Sequence, residues 1–135
     1  VTHLLDTNAC VVYLRKGAGS TVAAHMNAAA QGSVVLCSVV VGELLFGAYR
    51  SHQPAVVLQQ VQAFCSQFRS LPFDDAAAGE YARIRNHLSA RGQLIGPNDL
   101  LIAATALANN LILVTHNTAE FSRVPGLKLE DWQVP

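Results

Sequence analysis

An α/β fold with a parallel sheet is what this sequence predicts, and three observations carry the prediction. Short β-branched or leucine-rich runs alternate with longer segments of helical period, the alternation that βαβ units require. The runs are brief and almost wholly apolar, as strands covered on both faces are. No linker or low-complexity stretch divides the 135 residues, so residues 1–135 read as one domain. A composition of 51% apolar and 13% charged side chains excludes disorder and is ample for one core without disulfide staples.

Taken in order, the candidate strands are residues 3–6, 33–37, 70–73, 111–115 and 127–129. Ser20 stands before an alanine-rich run and Ser38 before Val39, both as helix caps. Pro54 opens a helix in which Val57, Val61, Phe64 and Phe68 recur at spacings of four, three and four. Asp74 and Asp75 precede a second amphipathic helix, with Ala77, Tyr81, Ile84 and Leu88 repeating that pattern, and read as caps. Asn98 and Asp99, after Gly96 and Pro97, begin another, while Gly92 and the Asn109–Asn110 pair supply stops.

Charge and cysteine usage narrow the function. Nine basic and nine acidic residues give no net charge, so any contact with nucleic acid must be local. Cys10, Cys37 and Cys65 lie far apart in apolar stretches and are expected to be buried thiols. Five scattered histidines contain no i, i+4 pair, which argues against an imidazole zinc site. No run of about 20 apolar residues could span a membrane. Asp6 and Asn8 interrupt the first apolar run, and Arg15 and Lys16 follow it, so no secretory signal is expected and the chain is placed in the cytoplasm.

In right-handed βαβ units, helix starts collect at the edge where strands end, which is where open α/β sheets bind ligands. Asp6 closes the first strand, Glu43 follows the Ser38 start, Asp99 opens a helix, and Thr115, His116 and Asn117 follow the fourth strand, so all fall at that edge. Glu43 is enclosed by Val39–Gly42 and Leu44–Phe46, and a lone carboxylate in such a helix needs a partner. Singly, Asp6 and Asp99 also read as helix caps and Glu43 as neutralised by an arginine. Together, three carboxylates about 5 Å apart repel by roughly 3 kcal/mol per pair at an effective dielectric near 20. Such a site wants a cation. Oxygen-only ligands select Mg²⁺, with Mn²⁺ as a substitute, and metal-assisted phosphodiester hydrolysis follows.

Four motifs occur in order: Leu4-Leu5-Asp6-Thr7-Asn8, Val41-Gly42-Glu43-Leu44-Leu45-Phe46-Gly47-Ala48, Gly96-Pro97-Asn98-Asp99-Leu100-Leu101-Ile102-Ala103-Ala104 and Val114-Thr115-His116-Asn117-Thr118-Ala119-Glu120-Phe121. The set resembles PIN-domain ribonucleases, and more narrowly the VapC toxins of type II toxin–antitoxin modules. The resemblance implies a five-stranded parallel sheet of order 3-2-1-4-5 with helices on both faces and its switch point between the first and fourth strands. It implies Asp6 and Asp99 as Mg²⁺ ligands, Glu43 completing the metal shell through water or orienting the attacking water, and Thr7 and Asn8 bracing Asp6. Thr115, Asn117 and Glu120 are expected to support the same site. The implied activity is an endoribonuclease leaving 5′-phosphate and 3′-hydroxyl ends, with tRNA favoured and the initiator tRNA among its targets. A homodimer and a VapB-type antitoxin that covers the active groove are the implied partners.

Asn117 departs from the pattern, because many PIN domains carry a fourth acid there; Glu120, three residues on, is the candidate replacement, its alternative being a first-turn acid favoured by the helix dipole. Arg15, Lys16, Arg83, Arg85, Arg91, Arg123 and Lys128 read either as phosphate contacts or as ordinary solvated charge. Two rival functions remain open at this level: a PIN-fold binding module weakened at Asn117, and an aspartate-based phosphatase. The second usually wants another acid beside Asp6 and a lysine farther on, whereas the only lysines here are Lys16 and Lys128.

Overall fold

The computed structural model describes residues 2–135. The chain runs β1 (His3–Leu5), α1 (Thr7–Lys16), a 3₁₀ turn (Gly17–Gly19), α2 (Thr21–Ala28), β2 (Val34–Cys37), α3 (Ser38–Tyr49), α4 (Pro54–Cys65), β3 (Ser70–Leu71), α5 (Asp75–Ala90), α6 (Pro97–Ala108), β4 (Ile112–Val114), α7 (Thr118–Phe121) and β5 (Lys128–Glu130). All five strands are parallel, in the order β3-β2-β1-β4-β5. This is the expected fold and strand order. Leu5 pairs with Val114, which sets the ends of β1 and β4 side by side where the chain's winding reverses.

Each strand is short because only its apolar middle is sandwiched. Leu4, Leu5, Val35, Leu36 and Leu113 are fully buried, and every such side chain contributes about 1.5–3 kcal/mol. The edge strand β5 keeps Lys128 and Glu130 exposed. Strand bounds differ from the apolar runs for the same reason. Asp6 leaves the sheet to cap α1, β2 omits Ser33, β3 stops before Pro72 and Phe73, β4 omits Leu111 and Thr115, and β5 is displaced one residue to Lys128–Glu130.

Most helix signals act as read. Ser20 accepts from the Ala23 N–H at 3.0 Å and Asp74 from that of Ala77 at 3.0 Å. Pro54 and Pro97 occupy opening turns, and Gly92 and Asn110 take positive φ just past helix ends. Ser38 is a correction. Helix α3 leaves β2 without a loop, so Cys37 is its uncapped boundary and Ser38 Oγ donates instead to the Leu71 carbonyl at 3.3 Å. A second correction concerns Cys65: Cys10 and Cys37 are buried, but Cys65, at the end of α4, is only half-buried.

The basic residues of α5 turn back on their own helix. Arg83 pairs with Glu80, Arg85 donates to the Tyr81 hydroxyl at 2.5 Å and Arg91 approaches His87. Among the described residues no helix is long and apolar enough to cross a membrane.

Candidate active site

Asp6 is built into the site by three elements. Leu5 ends β1 against β4, the Asp6 N–H donates to the Val114 carbonyl at 3.0 Å, and its Oδ1 accepts from the Ala9 N–H at 2.8 Å as the cap of α1. The Thr115 side chain adds a further hydrogen bond. At 4% exposure Asp6 is buried, and burial raises its proton affinity above the ordinary range although both hydrogen bonds oppose that; Glu43 and Asp131 raise it further. Asp6 thus caps its helix and still lies within reach of the charges of Glu43 and Asp131.

Glu43 arrives on the second turn of α3 and is held from two sides. Thr7 Oγ1 donates to its Oε1 at 2.5 Å, and Asn98 Nδ2 donates to its Oε2 at 3.4 Å. No arginine pairs with it among the described residues. Glu43 is half-buried, at the mouth of a groove of about 520 Å³ that it shares with Thr7, Asn98, Phe46 and Leu101.

Asp99 is not a cap. Helix α6 begins at Pro97, with Gly96 as a boundary that lends no side chain, and the Asp99 carboxylate stands free. A Cβ on Gly96 would meet Asp99 Oδ2 at 3.3 Å, so the absence of a side chain there leaves room for the half-buried carboxylate. Its pKa is pushed up to about 6, by burial first and then by the charges of Glu120, Glu43 and Asp6 in that order. The dependence on three other acids, far apart in sequence, reveals that all four share one field.

Glu120 lies in the first turn of α7, and its charge reaches Asp99. Asn117 Nδ2 donates to Glu120 Oε2 at 2.7 Å, and the Asn117 N–H donates to Thr115 Oγ1 at 3.0 Å, so the turn after β4 holds both Asp6 and Glu120 through Thr115 and Asn117. Bracing differs from the expectation for Thr7 and Asn8: Thr7 grips Glu43, the exposed Asn8 borders a neighbouring hollow, and Thr115 braces Asp6.

Two residues were missed. Asn98 was read only as a helix start. Asp131 follows β5 at the same edge, near enough for its charge to reach Asp6, and its Oδ2 lies 2.8 Å from His116 Nδ1. The signal for Asp131 was available, since an acid directly after a strand falls at the ligand edge. Asp74 caps α5 as expected and takes no part.

Among the described residues, no three His, Cys, Asp or Glu side chains form a ready-made metal cage. The donor set nevertheless fits a hard divalent cation: carboxylates, an amide and a hydroxyl, with no sulfur, and acids that raise one another's proton affinity.

Comparison with known proteins identifies the family and the fold. The PIN domain profile matches residues 3–127. The chain is 40% identical to a tRNA(fMet)-specific endonuclease VapC of Shigella flexneri, over 96% of each chain. It is 35% identical to a Ribonuclease VapC2 of Rickettsia felis, over 96% of this chain and 97% of that one. Its structure is similar to that of VapBC2 from Rickettsia felis bound to a promoter DNA fragment, with a TM-score of 0.91 at 32% identity and coverage of 98% and 99%. DNA-bound VapBC from Salmonella typhimurium gives a TM-score of 0.92 at 33% identity, with 98% of both chains covered. The chain thus belongs to the PIN-domain family and, within it, to the VapC ribonucleases.

Proposed function

We propose that this protein is a divalent-metal-dependent endoribonuclease, the toxin of a VapBC-type pair, cutting tRNA and in particular initiator tRNA. The observation that carries the reading is the shared field of Asp6, Glu43, Asp99 and Glu120 at the switch point of the sheet. The tRNA(fMet)-specific relative from Shigella flexneri supports the substrate.

Under this reading Asp6 and Asp99 hold the ion, Mg²⁺ or in its place Mn²⁺, with Glu43 and Glu120 completing its surroundings. Once bound, such an ion polarises the phosphodiester and supports attack by water. Glu43, steadied by Thr7 and Asn98, is the carboxylate placed to accept a proton from that water. Hydrolysis breaks the P–O3′ bond; the water oxygen stays on the 5′-phosphate and a proton passes to the 3′-oxygen. Thr115 and the Ala9 N–H keep Asp6 aimed, and Asn117 keeps Glu120 aimed.

The groove beside Phe46 takes the antitoxin segment. Phe46 and Tyr49 on α3 are 62% and 66% exposed, an apolar surface of the kind that partners cover. Neighbouring structures are toxin–antitoxin complexes, which supports a VapB-type partner. The reading carries with it a homodimer acting in the cytoplasm.

Incubating the purified protein with tRNA and Mg²⁺, with and without EDTA and beside Asp6→Asn, tests the whole. Cleavage that needs metal and disappears in the variant is the expected result. RNA binding without cleavage would instead indicate a binding module, and a phosphoenzyme on Asp6 a phosphatase.

A further inference from the structure

Beside the carboxylates lies a second hollow of about 340 Å³ with different chemistry. Its floor is aliphatic, Val11 and Val12 of α1, and its rim is formed by Arg15, His116, Asn117 and Gln133. Three segments meet there: α1 just past Asp6, the turn after β4, and the tail after β5. The hollow shares a wall with the acid cluster, because the Asn117 on its rim is the residue that holds Glu120.

Asp131 organises the rim. Its Oδ2 accepts from His116 Nδ1 at 2.8 Å and its Oδ1 accepts from the Gln133 N–H at 2.9 Å. A carboxylate only accepts, so Nδ1 carries the proton, and Nε2 and the ring face are left for a ligand. The Asp131 side chain is 20% exposed and that of His116 is 62% exposed: the steering group is sunk and the steered ring stands open. The next residue, Trp132, is buried against the rings of His25 and His3, at 5.5 and 5.1 Å, and pins the tail. No acid lines the hollow, and Arg15 takes part in no ion pair among the described residues.

An open aromatic face, an aliphatic floor, amides and one guanidinium together match a single unpaired nucleotide, whose base stacks, whose edge hydrogen-bonds and whose phosphate seeks arginine. We propose that this hollow is a subsite for one unpaired nucleotide of the RNA substrate next to the bond that is cut. His116 stacks on the base, Asn117 and Gln133 meet its edge, and Arg15 holds a phosphate. Asp131 is a positioning residue that acts through His116 and Gln133. The inference rests on the ribonuclease reading above, which supplies the substrate class.

The test uses the full chain carrying Asp6→Asn, in which asparagine keeps the helix cap, and a fluorescein-labelled RNA stem-loop followed by anisotropy in Mg²⁺. Arg15→Ala and His116→Ala each weaken binding about tenfold, and Arg15→Ala lowers the slope of log K against log salt by about one. His116→Phe, which retains a ring, recovers most of the loss. Arg69→Ala, at the opposite end of the sheet, leaves binding unchanged. In the same Asp6→Asn background Asp131→Asn weakens RNA binding several-fold and Asp131→Glu, which keeps an acceptor for His116 Nδ1, recovers most of it, a rescue that general loss of structure would not produce. Binding by Arg15→Ala and His116→Ala equal to that of the parent overturns the subsite, and if cleavage of RNA continues meanwhile, the ribonuclease reading survives it. Conversely, RNA binding that depends on both residues in a chain that never cuts RNA upholds the subsite and removes the ribonuclease reading.

Discussion

The starts of α1 and α6 both present an aspartate at the same edge of the sheet, yet the two carboxylates live differently. Asp6 is buried, caps its helix and receives a hydrogen bond from Thr115. Asp99 caps nothing, and its pKa is pushed up to about 6 by burial and by its acidic neighbours. Burial disfavours the charge of both, but hydrogen bonds offset part of that cost for the first and none of it for the second.

The sharpest way to break this comparison is to delete each in turn. Asp6→Ala and Asp99→Ala should both reduce RNA cleavage by about a thousandfold or more, since each removes a ligand of the proposed ion. Retained toxicity on expression at normal protein levels would end that role for either residue.

Stability should then separate the pair. Asp6→Ala loses a cap, which costs about 1 kcal/mol, and should lower the melting temperature most at acid pH, where the buried carboxyl is protonated and its ionisation no longer opposes folding. Asp99→Asn should do the reverse in EDTA at pH 7, raising stability by about 1 kcal/mol after solvent screening, or roughly 4 °C in melting temperature. The sign follows from linkage: a carboxyl whose folded pKa is raised binds protons more tightly when folded, so its ionised form opposes folding above about pH 6. That penalty fades as pH falls through 6 and is gone below the ordinary value of 3.8, where variant and parent should melt together. A melting curve for Asp99→Asn equal to the parent's at pH 7 would mean that Asp99 bears no strain from its neighbours.

Metal removal sharpens the same contrast. Adding Mg²⁺ to the parent should raise its melting temperature, and the rise should shrink in Asp99→Asn, because binding to the folded state alone stabilises it. Gly96→Ala is a smaller perturbation: its new methyl presses on Asp99 Oδ2 at 3.3 Å, so metal affinity should fall several-fold with little change in fold. Isothermal titration with Mn²⁺ would register it. Asn117→Asp should have the smallest effect, replacing a donor to Glu120 by a like charge; its melting temperature should fall in EDTA and approach the parent's when metal is present.

Local chemistry was legible along the chain wherever cause and effect lie within a few residues. The caps Ser20 and Asp74, the turn prolines, the apolar runs of the strands and the period of α4 and α5 all act over one turn or one strand. Asp6, Glu43 and Asp99 were legible as candidates because each interrupts apolar surroundings at a strand end or helix start. Ser38 misled, since a serine before an apolar run looks the same whether it caps a helix or reaches toward a neighbouring strand. The Cys65 stretch misled likewise, because an apolar run does not say which of its residues the rest of the molecule covers.

Residue order by itself determined which segments become strands and helices and which acids lie at their ends, because periodicity and capping are decided by neighbours in sequence. Only the tertiary structure decided that Thr7 grips Glu43 across 36 residues, that Glu120 shares the field of Asp99, and that Asp131 steers His116. Those pairings depend on which strand lies beside which and where each strand ends in space. That arrangement is set by closing one core over all five strands, so no single segment encodes it.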